Sequence, residues 1–198
     1  MIIYGSPKKG RFLSSILKGQ MDYEYFPISM SAFEADIKIK EISEEATQVG
    51  PITVDWQEQT YHAGGSVRYR FRIHGKQIIY ATDVELDKIF QSEYSPREKE
   101  ALAREYIDFI RKADLLVADG QFTAEEYLSR VGWGHSSIPV LLDLASKAEV
   151  EQLAVFHHDP QHSDKYLDDL WAKSRGRYGG EDAKMDIFWA REGLTVAI

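Results

Sequence analysis

The chain has 198 residues, 43% of them hydrophobic and 28% charged, which suits one globular domain with a buried core. Its formal net charge is −8 and it has no cysteine, which disfavours general binding to nucleic-acid backbones and excludes thiolate metal ligands. No apolar stretch approaches the roughly 18 residues of a membrane span, and no signal sequence is recognisable. We expect a cytoplasmic protein without membrane contacts.

Period-two alternation dominates the first part of the chain and predicts half-buried strands. A short helix is expected between the first two of them, because apolar residues at positions 12, 13, 16 and 17 follow helical spacing. Strands are predicted over residues 2–4, 35–42, 52–57, 67–73 and 78–81. The later strands form an antiparallel meander that ends at Asp83.

Helices and strands alternate in the second part. Pro96 is expected in the first turn of an amphipathic helix, and Ser136 or Ser137 is expected to cap another. A third helix begins at Ser163 or Asp164. Strands are predicted over residues 115–118, Gln152–Phe156, Asp186–Trp189 and 194–196. A meander followed by this alternation predicts an α/β or α+β fold, with a mixed sheet covered by helices.

Polar residues with metal-binding chemistry gather at predicted strand ends. His62, Asp83, Asp119 and His157 follow strands, and His135 precedes a helix. Strand ends meet at a common rim of a sheet, where α/β sites are assembled. Imidazole and carboxylate are zinc ligands, and a carboxylate can bridge two cations about 3.5–4 Å apart. On spacing alone, unrelated loop histidines remain the competing interpretation.

Five local strings occur in one order along the chain. They are His62-Ala-Gly-Gly-Ser-Val-Arg, Ile-Tyr-Ala-Thr-Asp83, Asp114-Leu-Leu-Val-Ala-Asp119, Gly132-Trp-Gly-His135-Ser-Ser and Leu-Ala-Val-Phe-His157-His-Asp-Pro160. In this order they closely resemble the C-terminal portion of the metallo-β-lactamase superfamily, in its phosphodiesterase-like branch that includes ribonuclease Z. The resemblance implies a single domain over residues 1–198 that forms part of an αββα sandwich.

The resemblance also implies a role for each candidate residue. His62 would bind one metal ion, Asp83 would bridge two, and His157 would bind the other. His135 would lie beside the scissile phosphate as a proton donor or oxyanion partner, with Asp119 as its orienting carboxylate. Zinc is the favoured ion, and manganese and iron accept the same ligands.

The family's principal metal motif, His-x-His-x-Asp-His, occurs nowhere in the sequence. We therefore expect an N-terminally truncated domain that carries about half of the site and is poorly active alone. Its aromatic segment at residues 23–27 is expected to pack against the missing sheet. Association with a second copy or with a partner that covers this sheet is also expected.

The implied function is metal-dependent hydrolysis, in which a metal-bound hydroxide attacks a phosphodiester. Because the net charge is −8 and no long inserted arm is evident, a small phosphodiester such as a cyclic nucleotide is preferred over tRNA as substrate. The alternative is a non-catalytic remnant that keeps the fold and acts by binding or assembly.

Each candidate also has an ordinary structural use. Asp83 is suited to cap the turn that follows it, and His135 can hydrogen-bond within the start of the next helix. His158 is expected to orient its loop rather than bind metal. The basic residues within 8–11 and 175–177 are expected to be solvated.

Overall fold

The computed structural model describes residues 1–5, 12–42, 46–59, 61–91, 93–178 and 184–198, and only the backbone of residues 175–178. The chain forms two compact units, Met1–Asp55 and Trp56–Ile198. The basic side chains expected to be solvated within 8–11 and 175–177 lie outside the described residues. Within the described ranges, no helix has both the length and the apolarity needed to cross a membrane.

The first unit contains short elements. In chain order they are β1 (Ile2–Gly5), α1 (Leu13–Gln20), a 3₁₀ helix (Met30–Ala32), β2 (Lys38–Glu41) and β3 (Thr47–Val49). β1 and β2 pair in parallel, with Ile3 opposite Ile39. The two strands and the helix predicted here are confirmed, although β2 begins three residues later than expected.

Several large apolar side chains of the first unit are exposed to solvent. Tyr23 and Tyr25 are 83% and 78% exposed, and Phe26, Ile28 and Phe33 are also exposed. Packing of segment 23–27 against a further sheet stays a prediction. Association with a second copy or a partner stays a prediction as well.

The second unit is built on the strands that follow. These are β4 (Ile52–Gln59, which begins in the first unit), β5 (Ser66–Ile73), β6 (Lys76–Ala81), β7 (Leu115–Asp119), β8 (Gln152–Phe156) and β9 (Asp186–Trp189). With β3 they make a seven-stranded sheet in sequence order. β5 and β6 are antiparallel, whereas β6, β7, β8 and β9 are parallel. The sheet is mixed, as the alternation of elements predicted.

Among its described residues the second unit has a 3₁₀ helix (Leu86–Phe90) and the α-helices α2 (Pro96–Ile110), α3 (Ala124–Tyr127), α4 (Ile138–Lys147) and α5 (Asp164–Tyr178). Pro96 occupies the first turn of α2, where its missing N–H costs nothing, and Ser95 with Glu98 forms a capping box. Ser137 is the residue before α4, but its hydroxyl donates to Asp87 instead of capping the helix.

The core lies between the sheet and helices α2 and α4. Leu116 and Leu153 on the strands and Leu141 on α4 are fully buried, as is Ile110 at the end of α2. Strands β7 and β8 read as apolar runs because both of their faces are largely covered. The core therefore fixes the positions of the parallel strands, and with them the starts of the loops that follow their carboxyl ends.

One predicted element is wrong. Residues 194–196 alternate in hydrophobicity but form no strand, because the chain turns at Gly193, which has φ +75°. Residues 194–196 are absent from the strand order of the described sheet, and the segment contacts β8 through a hydrogen bond from the Gln152 side chain to the Ala197 carbonyl. Alternation of apolar and polar residues indicates two faces of different polarity, but it does not show that another strand is available for pairing.

Substitution of the fully buried Leu116 by Ala should lower the free energy of unfolding by about 2–5 kcal/mol, because it removes packed methyl groups and leaves a cavity. The matched control is Leu128→Ala, which removes the same atoms from a side chain that is 79% exposed and should change stability by no more than about 0.5 kcal/mol. Urea unfolding followed by circular dichroism measures both. Equal losses would contradict the assignment of the core.

Candidate metal-binding and catalytic site

Three parallel strands carry Asp83, Asp119 and His157 to one rim of the sheet, and His62 and His135 reach it from loops. Ala81 of β6 lies opposite Ala118 of β7, and Asp119 at the end of β7 lies opposite Phe156 at the end of β8. The chain continues from these ends into Asp83 and His157. The convergence of strand ends predicted from the sequence is thus produced by the register of the parallel ladder.

The Asp83 carboxylate lies between two imidazoles. Its Oδ1 atom is 3.6 Å from Nε2 of His62 and 3.5 Å from Nε2 of His157. Two ligand atoms bound about 2.0–2.1 Å from one tetrahedral zinc ion lie about 3.3 Å apart. The spacing therefore fits a cation between Asp83 and each histidine better than it fits direct hydrogen bonds.

Two overlapping groups of possible ligand atoms lie around the rim. His62, Asp83 and His135 offer atoms within 4.8 Å of one another, and so do Asp119, His135 and His157. The two groups share His135, whereas Asp83 belongs only to the first and approaches His157 through its Oδ1 atom at 3.5 Å. The donor set of imidazole and carboxylate suits zinc, manganese or iron.

The backbone at this rim is strained. Tyr61, Asp83 and His157 have φ angles of 69°, 59° and 61°, in the left-handed region that residues with a Cβ atom rarely adopt. Each such residue costs of the order of 1–3 kcal/mol, and strain of this kind clusters at functional sites. Asp83 and His157 are candidate ligands, and Tyr61 precedes the candidate ligand His62.

Asp119 holds His135 beside the candidate ligands. The His135 Nδ1 atom is 2.8 Å from Oδ2 of Asp119. The Asp119 carboxylate is fully buried, and it also accepts hydrogen bonds from the backbone N–H groups of Asp83 and Ser136. The hydrogen bond to Asp119 is the main cause that raises the pKa of His135, against the opposing effect of burial. The His135 ring stacks on His157, with centroids 4.7 Å apart.

Side-chain hydrogen bonds join the loop before α4 to the segment that follows β6. The buried carboxylate of Glu85 accepts from the backbone N–H groups of Gly132 and Gly134 and from the Tyr127 hydroxyl. The Ser136 hydroxyl donates to the Val84 carbonyl. Sequence reasoning missed Glu85, whose position between two apolar residues next to Asp83 was the only available signal.

Two ordinary roles weighed for the candidates have clear outcomes. Asp83 does not cap the 3₁₀ helix at Leu86–Phe90, which has no side-chain cap. His158 donates from Nε2 to the Ala190 carbonyl, as expected of a residue that orients its loop, and burial lowers the pKa of its imidazole. His162 is likewise engaged away from the rim, with Nε2 2.8 Å from Glu126.

No protein-family sequence profile matches the chain, and no curated protein matches it in sequence. Solved structures do match. The metallo-β-lactamase fold protein YhfI from Bacillus subtilis is 17% identical with a TM-score of 0.63, over 98% of this chain and 62% of that one. Unliganded yeast PDE1 is 18% identical with a TM-score of 0.68, over 97% and 58%.

A diphosphatase of the PhnP family is 12% identical with a TM-score of 0.60, over 100% of this chain and 59% of that one. The chain therefore has the metallo-β-lactamase fold, which confirms the fold that the ordered motifs implied. It spans about six-tenths of the length of these three proteins.

Replacement of Asp119 by Asn should lower the pKa of His135, because it removes the carboxylate that favours the imidazolium. Two-dimensional NMR titration of the metal-free protein in the presence of a chelator measures the pKa. The charged pair stabilises the folded state below the unfolded pKa of histidine, and this contribution disappears as the pH rises through the raised folded value.

His158 provides an internal reference for the same titration, because its hydrogen bond to the Ala190 carbonyl does not involve Asp119. Its pKa should not change in the variant. An unaltered His135 pKa would contradict the paired geometry.

Proposed function

We propose that the chain belongs to a divalent-metal-dependent hydrolase that cleaves small phosphodiesters, and that the rim of the sheet is its reaction site. The proposal depends on one observation above all. A single oxygen of Asp83 lies 3.5–3.6 Å from the Nε2 atoms of two histidines, and the hydrogen-bonded pair of His135 and Asp119 lies beside it.

His62, Asp83 and His157 would hold the metal, with Asp83 shared between two cation positions. We favour zinc, because two imidazoles and a carboxylate are the donors of many catalytic zinc sites. A bound divalent cation lowers the pKa of water and neutralises charge on a phosphoryl oxygen. Metal binding by Asp83 and His157 would give a reason for the left-handed backbone at both residues.

His135 is suited to hold and deliver a proton. Its Nδ1 atom is occupied by Asp119, so the tautomer and the plane of the ring are set while Nε2 stays available to a substrate oxygen. The raised pKa increases the fraction of imidazolium, the form that can protonate a leaving group. Asp119 is fully buried, and it acts on the site through its hydrogen bonds with the His135 ring and the Asp83 backbone N–H.

A small phosphodiester is the favoured substrate class. The PhnP-family diphosphatase has the same fold, and a site with paired cations and an imidazole acid suits transfer at phosphorus. The net charge of −8 disfavours the broad phosphate contacts that tRNA binding requires.

Metal binding is the first test. We expect isothermal titration of the chelator-treated protein with Zn²⁺ to show binding that Asp83→Asn weakens at least about tenfold, since second-shell changes alone cost 10–100-fold. The control is His74→Asn, which alters a turn histidine outside the cluster and keeps a residue that tolerates its φ of 49°. Equal Zn²⁺ binding by wild type and Asp83→Asn would refute the ligand assignment.

Hydrolysis is the second test. With Zn²⁺ or Mn²⁺ present, turnover of bis-p-nitrophenyl phosphate should fall by about 10²–10⁴-fold in kcat when His135 is replaced by Ala, because the proton donor is lost. His74→Asn should turn over at the wild-type rate. Wild-type turnover that His135→Ala leaves unchanged would contradict the role of His135.

A further inference from the structure

We propose that Glu85 is a positioning residue that sets the geometry of both His62 and His135 without touching metal or substrate. This inference rests on the proposed function for its catalytic meaning. Glu85 is 1% exposed. Its Oε1 atom accepts from the Tyr127 hydroxyl and the Gly132 N–H, each at 2.7 Å, and its Oε2 atom accepts from the Gly134 N–H at 3.0 Å.

A carboxylate in this position is costly for stability alone. Removing a carboxylate from water is unfavourable, and apolar residues of similar size are often neutral or stabilising replacements for buried charges. Charge-assisted hydrogen bonds are, however, shorter and stronger than neutral ones, and two oxygens define a direction as well as a distance. The three donors around Glu85 come from one short stretch of chain, so the carboxylate fixes the shape of that stretch.

Gly134 transmits this constraint to His62. The residue has φ +93°, and a Cβ atom built on it would lie 2.7 Å from Cδ2 of His62 and 3.4 Å from its Cα. The backbone of Gly134 is thus packed directly on the His62 imidazole. A shift of the Gly134 N–H away from Glu85 would therefore change the space available to the ring.

The next residue is His135, so the same hydrogen bond also sets the start of its backbone. Asp119 orients the His135 ring from one side through Nδ1, and it anchors the Ser136 N–H. Glu85 anchors the chain immediately before the ring. The two buried carboxylates hold opposite flanks of His135, and only Glu85 also acts on His62.

The test compares Glu85→Gln with Asp87→Asn. Gln keeps the size of Glu85 but presents an amide N–H₂ where one backbone N–H must be accepted. Asp87 is a matched control, because it is a neighbouring carboxylate that accepts from the Ser137 N–H and hydroxyl and does not reach Gly132 or Gly134. A purely structural role predicts similar effects of the two substitutions.

We expect the NMR resonances of the His62 and His135 rings to shift in metal-free Glu85→Gln and to stay at their wild-type positions in Asp87→Asn. Zn²⁺ affinity should fall about tenfold or more in Glu85→Gln, the usual cost of losing an outer-shell partner. In the hydrolysis assay, kcat should fall further than KM rises, because the acid is misplaced in the reacting complex. Gly134→Ala should reproduce the His62 shift.

Wild-type ring resonances and wild-type Zn²⁺ affinity in Glu85→Gln, with weakened binding in Asp83→Asn, would overturn the inference and leave the proposed function intact. Absence of Zn²⁺ binding by the wild type would overturn the proposed function, while the ring resonances would still decide whether Glu85 positions the histidines.

If Glu85→Gln does not fold, Tyr127→Phe removes one donor and keeps the ring. It should shift the same resonances by a smaller amount, and unshifted resonances would overturn the inference.

Discussion

The hydrogen bonds of the buried Asp119 carboxylate are the interaction on which the rest of the site depends. This one side chain ends β7, accepts from the backbone after β6 at Asp83, and accepts from Ser136 and the His135 ring. Strands and loop are thereby joined at a single fully buried point. Since an unpaired buried carboxylate is very unfavourable, all of these donors must stay in place together, and the candidate ligands keep their spacing as a consequence.

The surrounding structure also explains how the strained backbone near Asp119 is maintained. Tyr61, Asp83 and His157 would each relax to a more favourable backbone conformation in an isolated peptide. Here the parallel ladder of β6, β7 and β8 and the apolar core beneath it hold the chain on both sides of the strained positions. The core thus stabilises a rim whose local geometry is unfavourable, which is how folded proteins maintain strained functional sites.

Much of the fold was predictable because its signals are local. Apolar runs and alternation located the strands of the second unit within one or two residues, and Pro96 marked the beginning of α2. The predicted strand at 194–196 was wrong because alternation says nothing about a partner strand. Glu85 was missed for a related reason: a glutamate between Val84 and Leu86 is indistinguishable from a solvated residue until its three donors are seen.

The sequence by itself determined which side chains stand at the ends of strands, and so which imidazoles and carboxylates are available to one rim. Chain order also carried the resemblance that assigned them roles. Only the tertiary structure decided that one oxygen of Asp83 lies between two imidazoles, that Gly134 packs on His62, and that Glu85 is buried. These relations arise from strand register and loop packing between residues distant in sequence, which local periodicity does not encode.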